Sequence, residues 1–296
     1  MGISPLTAAL DRVKRNRLVS KVLEVSARFD ADGGGYLAAA IAYYAFFSLF
    51  PLLLLGASVA GFVLAGDPAA QLQFAERIAG AIPGLGPILA DNVRALVDAR
   101  GATGVVGLVG ALWSGTALAR AASFALARIN RTTDPGSYLA TQVWAIGATV
   151  GVGALAVATT ALGAAVPAIA VDGAGGVALR VAGVGVSLAL DLLLFIVAYK
   201  VLHRGPSIPV KRIWRGALLP AAGWTTLKFI GSWYAARTVK GSTAMFGAFA
   251  SVVGIMVLLF LTARLFAYGA EINAVLEERQ APNAAGAKKS ARAAAA

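Results

Sequence analysis

Cysteine is absent from the 296 residues, and histidine occurs once, at His203. The first absence excludes disulfides, thiolate metal sites and thiol nucleophiles, and the second excludes any site built on two imidazoles. Charge is also scarce. Asp, Glu, Lys and Arg make up 14% of the chain, whereas hydrophobic residues make up 58%. Ordinary soluble domains carry roughly 25% charged residues, so a chain this poor in charge does not read as a water-soluble protein. Gly151, Gly153 and Ala156 match a dinucleotide fingerprint in spacing, but they lie inside an apolar run with no soluble strand before them. No catalytic constellation, metal site or cofactor motif is left, and the chain reads as non-enzymatic. His203 reads as a solvated or lipid-facing side chain rather than a ligand.

What is present is length without charge. The stretches 33–66, 101–119, 135–171 and 241–263 contain no charged residue, and each exceeds the ~18 residues that mark a spanning helix. Two more apolar segments carry a few ions, Arg180 and Asp191 in the first and Arg215 and Lys228 in the second. Backbone groups in lipid must bond internally, and the sequence lacks the ten-residue alternation of a barrel. The expected fold is therefore an all-α integral membrane protein. Six transmembrane helices are expected at about 36–65, 101–120, 138–168, 176–200, 213–236 and 243–271, within a membrane domain covering 33–275.

The net charge of +12 follows the same plan. Counting loops alternately places most of the 26 Lys and Arg residues on the side of both termini, and leaves Arg77, Arg94, Arg100, Arg237 and Lys240 on the other. Positive charge accumulates on the cytoplasmic side, so both termini of a multi-pass membrane protein are expected there. The cations are dispersed over separate loops instead of one basic module, which argues against nucleic acid as a partner. Residues 1–32 are expected to form a basic amphipathic segment without a cleavable signal. Leu18, Val22, Val25 and Phe29 share one helical face there, resting on the membrane or on the bundle. Between the first two spans, 66–100 reads as two short amphipathic external helices, and 276–296 as a disordered, basic, Ala-rich tail.

Two stretches carry a likeness. Residues 38–55 read AAAIAYYAFFSLFPLLLL, and residues 246–279 read FGAFASVVGIMVLLFLTARLFAYGAEINAVLEER. They resemble the first and last spans of the YihY/BrkB family of bacterial inner-membrane proteins, with weaker echoes at 112–130 and 199–217. Phe260 stands where members often carry another aromatic. The resemblance implies a six-helix membrane protein linked to virulence or envelope integrity, with no settled substrate. The ribonuclease BN label of some members finds no support here, because metal-assisted phosphodiester cleavage needs clustered His and carboxylate ligands.

Polar residues inside hydrocarbon are functional candidates, because a charge there costs at least ~2.5 kcal/mol. Arg180, Ser187 and Asp191 lie on one face of the fourth span. Lys228 in the fifth is expected to meet Arg180 around an outward-facing cavity. Arg264 and Glu271 flank Tyr268 in the last span, where Arg264 is expected to snorkel or to pair with Asp191 or Glu271. In the first span Tyr44, Ser48 and Pro51 recur at helical spacing, and Pro51 leaves the carbonyl of Phe47 without its donor. Gly107, Ala111 and Gly115, and Gly247, Ser251 and Gly254, are small stripes suited to close helix packing or gating.

The expected role is transport of an anionic, amphipathic solute or lipid through an electropositive cavity. Arg180, Lys228, Asp191, Ser187, Tyr44 and Ser48 would contact the solute, and Pro51, Arg264, Glu271, Tyr268 and Gly247 would shape or gate the path. Proton- or cation-coupled antiport on Asp191 is the second reading, and a non-transporting scaffold for envelope assembly the third. Membrane lipids are the expected partners, and a chain this rich in Gly and Ala can also self-associate.

Overall fold

The computed structural model describes residues 17–63, 67, 69–70, 73, 100–132, 137–168, 174–206, 208–238 and 244–294. Among the described residues there are helices and no strands. They are α1 (Arg17–Ala31), α2 (Gly34–Val63), α3 (Arg100–Ile129), α4 (Tyr138–Ala168), α5 (Ala174–Leu202), α6 (Val210–Thr238) and α7 (Ala244–Ala294). Five of them, α2, α3, α4, α5 and α7, contain stretches long and apolar enough to cross a membrane. The sequence reading had counted six. The difference is α6, a helix of 29 residues whose Lys211, Arg212, Arg215, Lys228 and Arg237 dilute its apolar character.

The six long helices form a closed ring. Each packs on its neighbour in the chain, and α7 returns to pack on α2. The seams are lined with small residues: Ala38, Ala119, Ala125, Ala145, Ala217, Ala221 and Ala267 are all buried. Such residues let helix backbones approach where lipid gives no hydrophobic drive for association. The outer surface is the reverse of a soluble protein's. Trp113 is 80% exposed, Val63 76% and Leu139 74%, a surface that lipid tails solvate and water does not.

The N-terminal helix folds back onto this ring. Gly33, at φ 72°, turns the chain between α1 and α2, in the left-handed region that glycine enters without steric cost. The turn brings Phe29 into the core at 1% exposure, while Val22 on the same face of α1 remains 68% exposed. Thus α1 is anchored to the bundle at one end, while Val22 and Leu23 remain exposed.

Two expectations change or fall outside these residues. Helix α7 continues to Ala294, where an unstructured tail had been expected; Ala has the highest helix propensity of any residue, so an Ala-rich tail extends a helix already begun. Most of 66–100, read as external amphipathic helices, lies outside the described residues, as does 1–16.

Candidate functional site

An ion pair with an enclosed carboxylate joins α5 and α6. Asp191 on α5 is 1% exposed, and its Oδ2 accepts hydrogen bonds from Lys228 Nζ at 2.7 Å and Thr225 Oγ1 at 2.6 Å, both on α6. Lys228 Nζ also donates to Ser187 Oγ at 2.9 Å. Ser187 and Asp191 are four apart on α5, and Thr225 and Lys228 three apart on α6, the two spacings that align side chains on one helical face. Antiparallel neighbours therefore bring the four groups together. The ammonium side chain keeps 28% exposure, so the carboxylate is sealed while the cation stays accessible.

Lys228 had been expected to meet Arg180 around an outward-facing cavity, which involves a side chain outside the described residues, and Arg264 had been offered as a partner for Asp191. Among the described residues it is Lys228 that pairs with Asp191. The guanidinium of Arg264 instead lies over three aromatic rings, Phe29 at 5.5 Å, Phe260 at 5.8 Å and Tyr268 at 5.9 Å. Ring quadrupoles stabilise a cation held this way without a carboxylate. Arg180 lies on α5 and Gly247 on α7, but their side-chain surroundings are outside the described residues.

Tyr44, Ser48 and Pro51 do not converge on the Asp191 site. Ser48 donates to the carbonyl of Tyr44 at 2.7 Å in its own helix, and Tyr44 is 37% exposed. Pro51 lies against α3, where a Cβ added to Gly110 would come within 3.0 Å of its ring. Gly107 faces the α2 backbone at Leu54 and Leu55, and Gly115 faces Thr149 of α4. The expected single stripe therefore serves two different seams.

At the end of the bundle where α1 docks, α5, α6 and α7 are tied by groups that the sequence reading did not single out. Tyr199 donates to the carbonyl of Phe266 at 2.6 Å and stacks on its ring at 4.7 Å. Asn273 Oδ1 accepts from the backbone N–H of Gly216 at 2.9 Å. Pro220, lacking an N–H, frees the carbonyl of Gly216, and a Cβ on Gly269 would collide with that oxygen. The signal was in the Gly-Ala-Glu-x-Asn run at 269–273, whose Gly and Asn meet α6 at one residue.

The same end holds a second polar group. Phe29 stacks on Tyr268, centroids 3.9 Å apart, and Arg28 grips Glu278 through two nitrogens at 2.8 and 2.9 Å. That hydrogen bond to Glu278 raises the pKa of Arg28 against the opposing effect of burial. Glu271 is fully buried beside the Asp32 carboxyl, its Oε2 3.9 Å from Arg28 Nε. Arg264, once considered as a partner for Glu271, thus leaves that place to Arg28. His203, just beyond α5, is half-buried and not fully solvated, and burial lowers its pKa.

A cavity of about 460 Å³ opens beside these contacts, between α3, α4 and the residues after α5. Arg120, Arg128 and Arg204 line it together with Thr132, Thr141 and Trp144. Sequence reasoning had treated these arginines as topology signals, because nothing in their spacing shows that three separate segments meet.

The profile of the virulence factor BrkB family matches residues 25–294. Over 96% of its length the chain is 25% identical to the inner membrane protein YhjD of Escherichia coli (strain K12), covering 89% of that protein. It is 28% identical to an uncharacterized protein of Dickeya dadantii (strain 3937), over 88% of this chain and 84% of the relative. No solved structure matches. The docking of α7 on α6 uses the run at 269–273 that carries the likeness, the family profile runs from within α1 to the end of α7, and a named relative resides in the inner membrane: the chain is an inner-membrane protein of the BrkB family.

Proposed function

We propose that this protein is a non-enzymatic transporter of an anionic, amphipathic solute, with Lys228 as the cation that receives the anion and Asp191 as its resting counter-ion. The observation that supports it is the half-open ion pair, a sealed carboxylate holding an ammonium that remains 28% exposed. Such a pair is expensive in a bundle that needs only packing, since desolvating two ions cancels much of their attraction. An entering anion competes with Asp191 for Lys228, and the pair re-forms when the anion leaves. In this reading α6 also crosses the bilayer, as the fifth of six spans, its end charges at the two surfaces and Lys228 neutralised inside. Both termini are then cytoplasmic, following the distribution of Lys and Arg.

Proton- or cation-coupled antiport has its own support in the two donors on a single Asp191 oxygen, which a proton or small cation would displace. Flux of a labelled anionic amphiphile into proteoliposomes distinguishes the two. If Lys228 receives an anion, Lys228→Gln abolishes flux, and Asp191→Asn retains it because the competing carboxylate is gone. If Asp191 is the carrier, Asp191→Asn abolishes proton-coupled exchange. Full anion flux in Lys228→Gln overturns the leading reading.

A further inference from the structure

We propose that Asp32 and Glu271 form a proton-binding carboxyl pair, and that the proton they share fastens α1 to α7. The pair uses neither Asp191 nor Lys228, and the proposal holds whether or not the protein transports anything.

The two side chains meet acceptor to acceptor. Glu271 on α7 is fully buried, and the carboxyl of Asp32, just after α1, lies within hydrogen-bonding reach of it. Neither Asp32 Oδ2 nor either Glu271 oxygen receives a donor among the described residues. Two ionised carboxylates at such range repel, and a buried oxygen without a donor carries an uncompensated desolvation cost. One proton held between them supplies the missing donor and removes one charge. That proton belongs to the pair and not to either residue.

The neighbouring charges leave the pair in need of it. From α1, Arg28 spends two nitrogens on Glu278, and its Nε stays 3.9 Å from Glu271 Oε2, beyond hydrogen-bond distance. From the turn after α3, Arg131 acts on Glu271 from an exposed position, where solvent screens it. From α6, Arg212 pairs with Glu277 at 3.7 Å, and α2 brings no charge. Along α7, Arg264 lies over Phe29, Phe260 and Tyr268. From α5, the Tyr199 hydroxyl is committed to the carbonyl of Phe266. Asp30, the other acid at this end of α1, is exposed. Arg28 and Arg131 thus set two positive charges against the three carboxylates of Glu278, Glu271 and Asp32, and one proton brings the group to balance.

Asp32 also sits at the hinge. It precedes Gly33, whose φ of 72° turns the chain from α1 into α2, and it is partly exposed, so the proton can exchange with water. The same end of α1 carries Phe29 against Tyr268 and Arg28 against Glu278, so the pair acts on the whole docking. Docked, the two carboxyls hold one proton more than they do once separated. Linkage then makes docking firmest in acid. It weakens as pH rises, by up to about tenfold per pH unit, until the docked pair has itself ionised.

The test uses purified full-length protein in nonionic detergent, followed over a pH series by infrared difference spectroscopy and by hydrogen–deuterium exchange of α1. Exchange times are scaled for the intrinsic pH dependence of amide exchange. The native protein is expected to show the carbonyl band of a protonated carboxylic acid at neutral pH. As the band vanishes in base, exchange in α1 quickens relative to α6. Asp32→Asn puts an amide donor in the place of the proton, so the band disappears and α1 stays protected throughout the series. Glu271→Gln does the same; should that buried change prevent folding, Asp32→Asn, at a partly exposed position, decides alone. Asp191→Asn keeps the band and its pH dependence, which separates this pair from the antiport reading. Absence of the band from the native protein, its survival in Asp32→Asn, α1 protection that ignores pH in the native protein, or pH-dependent α1 protection retained in Asp32→Asn overturns the proposal.

Discussion

Removing Lys228 alone leaves a carboxylate enclosed in the bundle with Thr225 as its remaining donor among the described residues. Breaking a buried pair from one side costs about 3–5 kcal/mol, whereas replacing both partners by apolar residues of similar volume is often neutral. Lys228→Met is therefore expected to lower the unfolding midpoint in detergent far more than Lys228→Met combined with Asp191→Leu. Equal losses in the single and double variants would show that the ammonium contributes little to holding Asp191. Sequence arithmetic placed Ser187 and Asp191 on one face of α5, and the structure keeps them there beside Lys228. It did not identify Thr225, because a donor on the neighbouring helix is chosen by rotation of that helix, which periodicity along one chain does not specify. Arg264 was hidden for a similar reason: one of its aromatic platforms, Phe29, arrives only when α1 folds back.

Close approach is the controlling quantity for the helices. A Cβ at Gly107 would stand 2.6 Å from the backbone nitrogen of Leu55, and backbone cannot swing aside as a side chain can. Gly107→Ala is expected to cost about 1–3 kcal/mol through overpacking of the α2–α3 seam. Gly151 and Gly153 on α4 have nothing within 4 Å of an added Cβ. Alanine there should be neutral or slightly stabilising, by about 0.5–1 kcal/mol, because it restrains the unfolded chain more than glycine does. Thermal unfolding of the three variants in one detergent measures the contrast, and equal midpoints would refute the close-packed seam. The spans themselves were legible because a charge-free run has few places to go except lipid. Helix α6 was legible by length, although its charges keep it outside the strictly apolar set. The partition of glycines among seams was not, since Gly107 and Gly115 serve different neighbours.

For the whole molecule, the ring of helices and the distribution of basic residues make one testable geometry. If α6 crosses the bilayer, both ends of the ring's chain lie on the same side; if it does not, the segments on either side of it share a side and the C terminus changes leaflet. The natural chain contains no Cys, so single cysteines can be introduced without removing a native thiol. With six crossings, Asp67→Cys and Ser242→Cys react with a membrane-impermeant maleimide added outside spheroplasts, whereas Ser137→Cys and Gly205→Cys react only after permeabilisation. The decisive pair is Gly205→Cys and Ser242→Cys, which bracket α6. Labelling of both from one side would remove α6 from the set of spans. Opposite labelling keeps Lys228 within the bilayer, where an ion needs its partner.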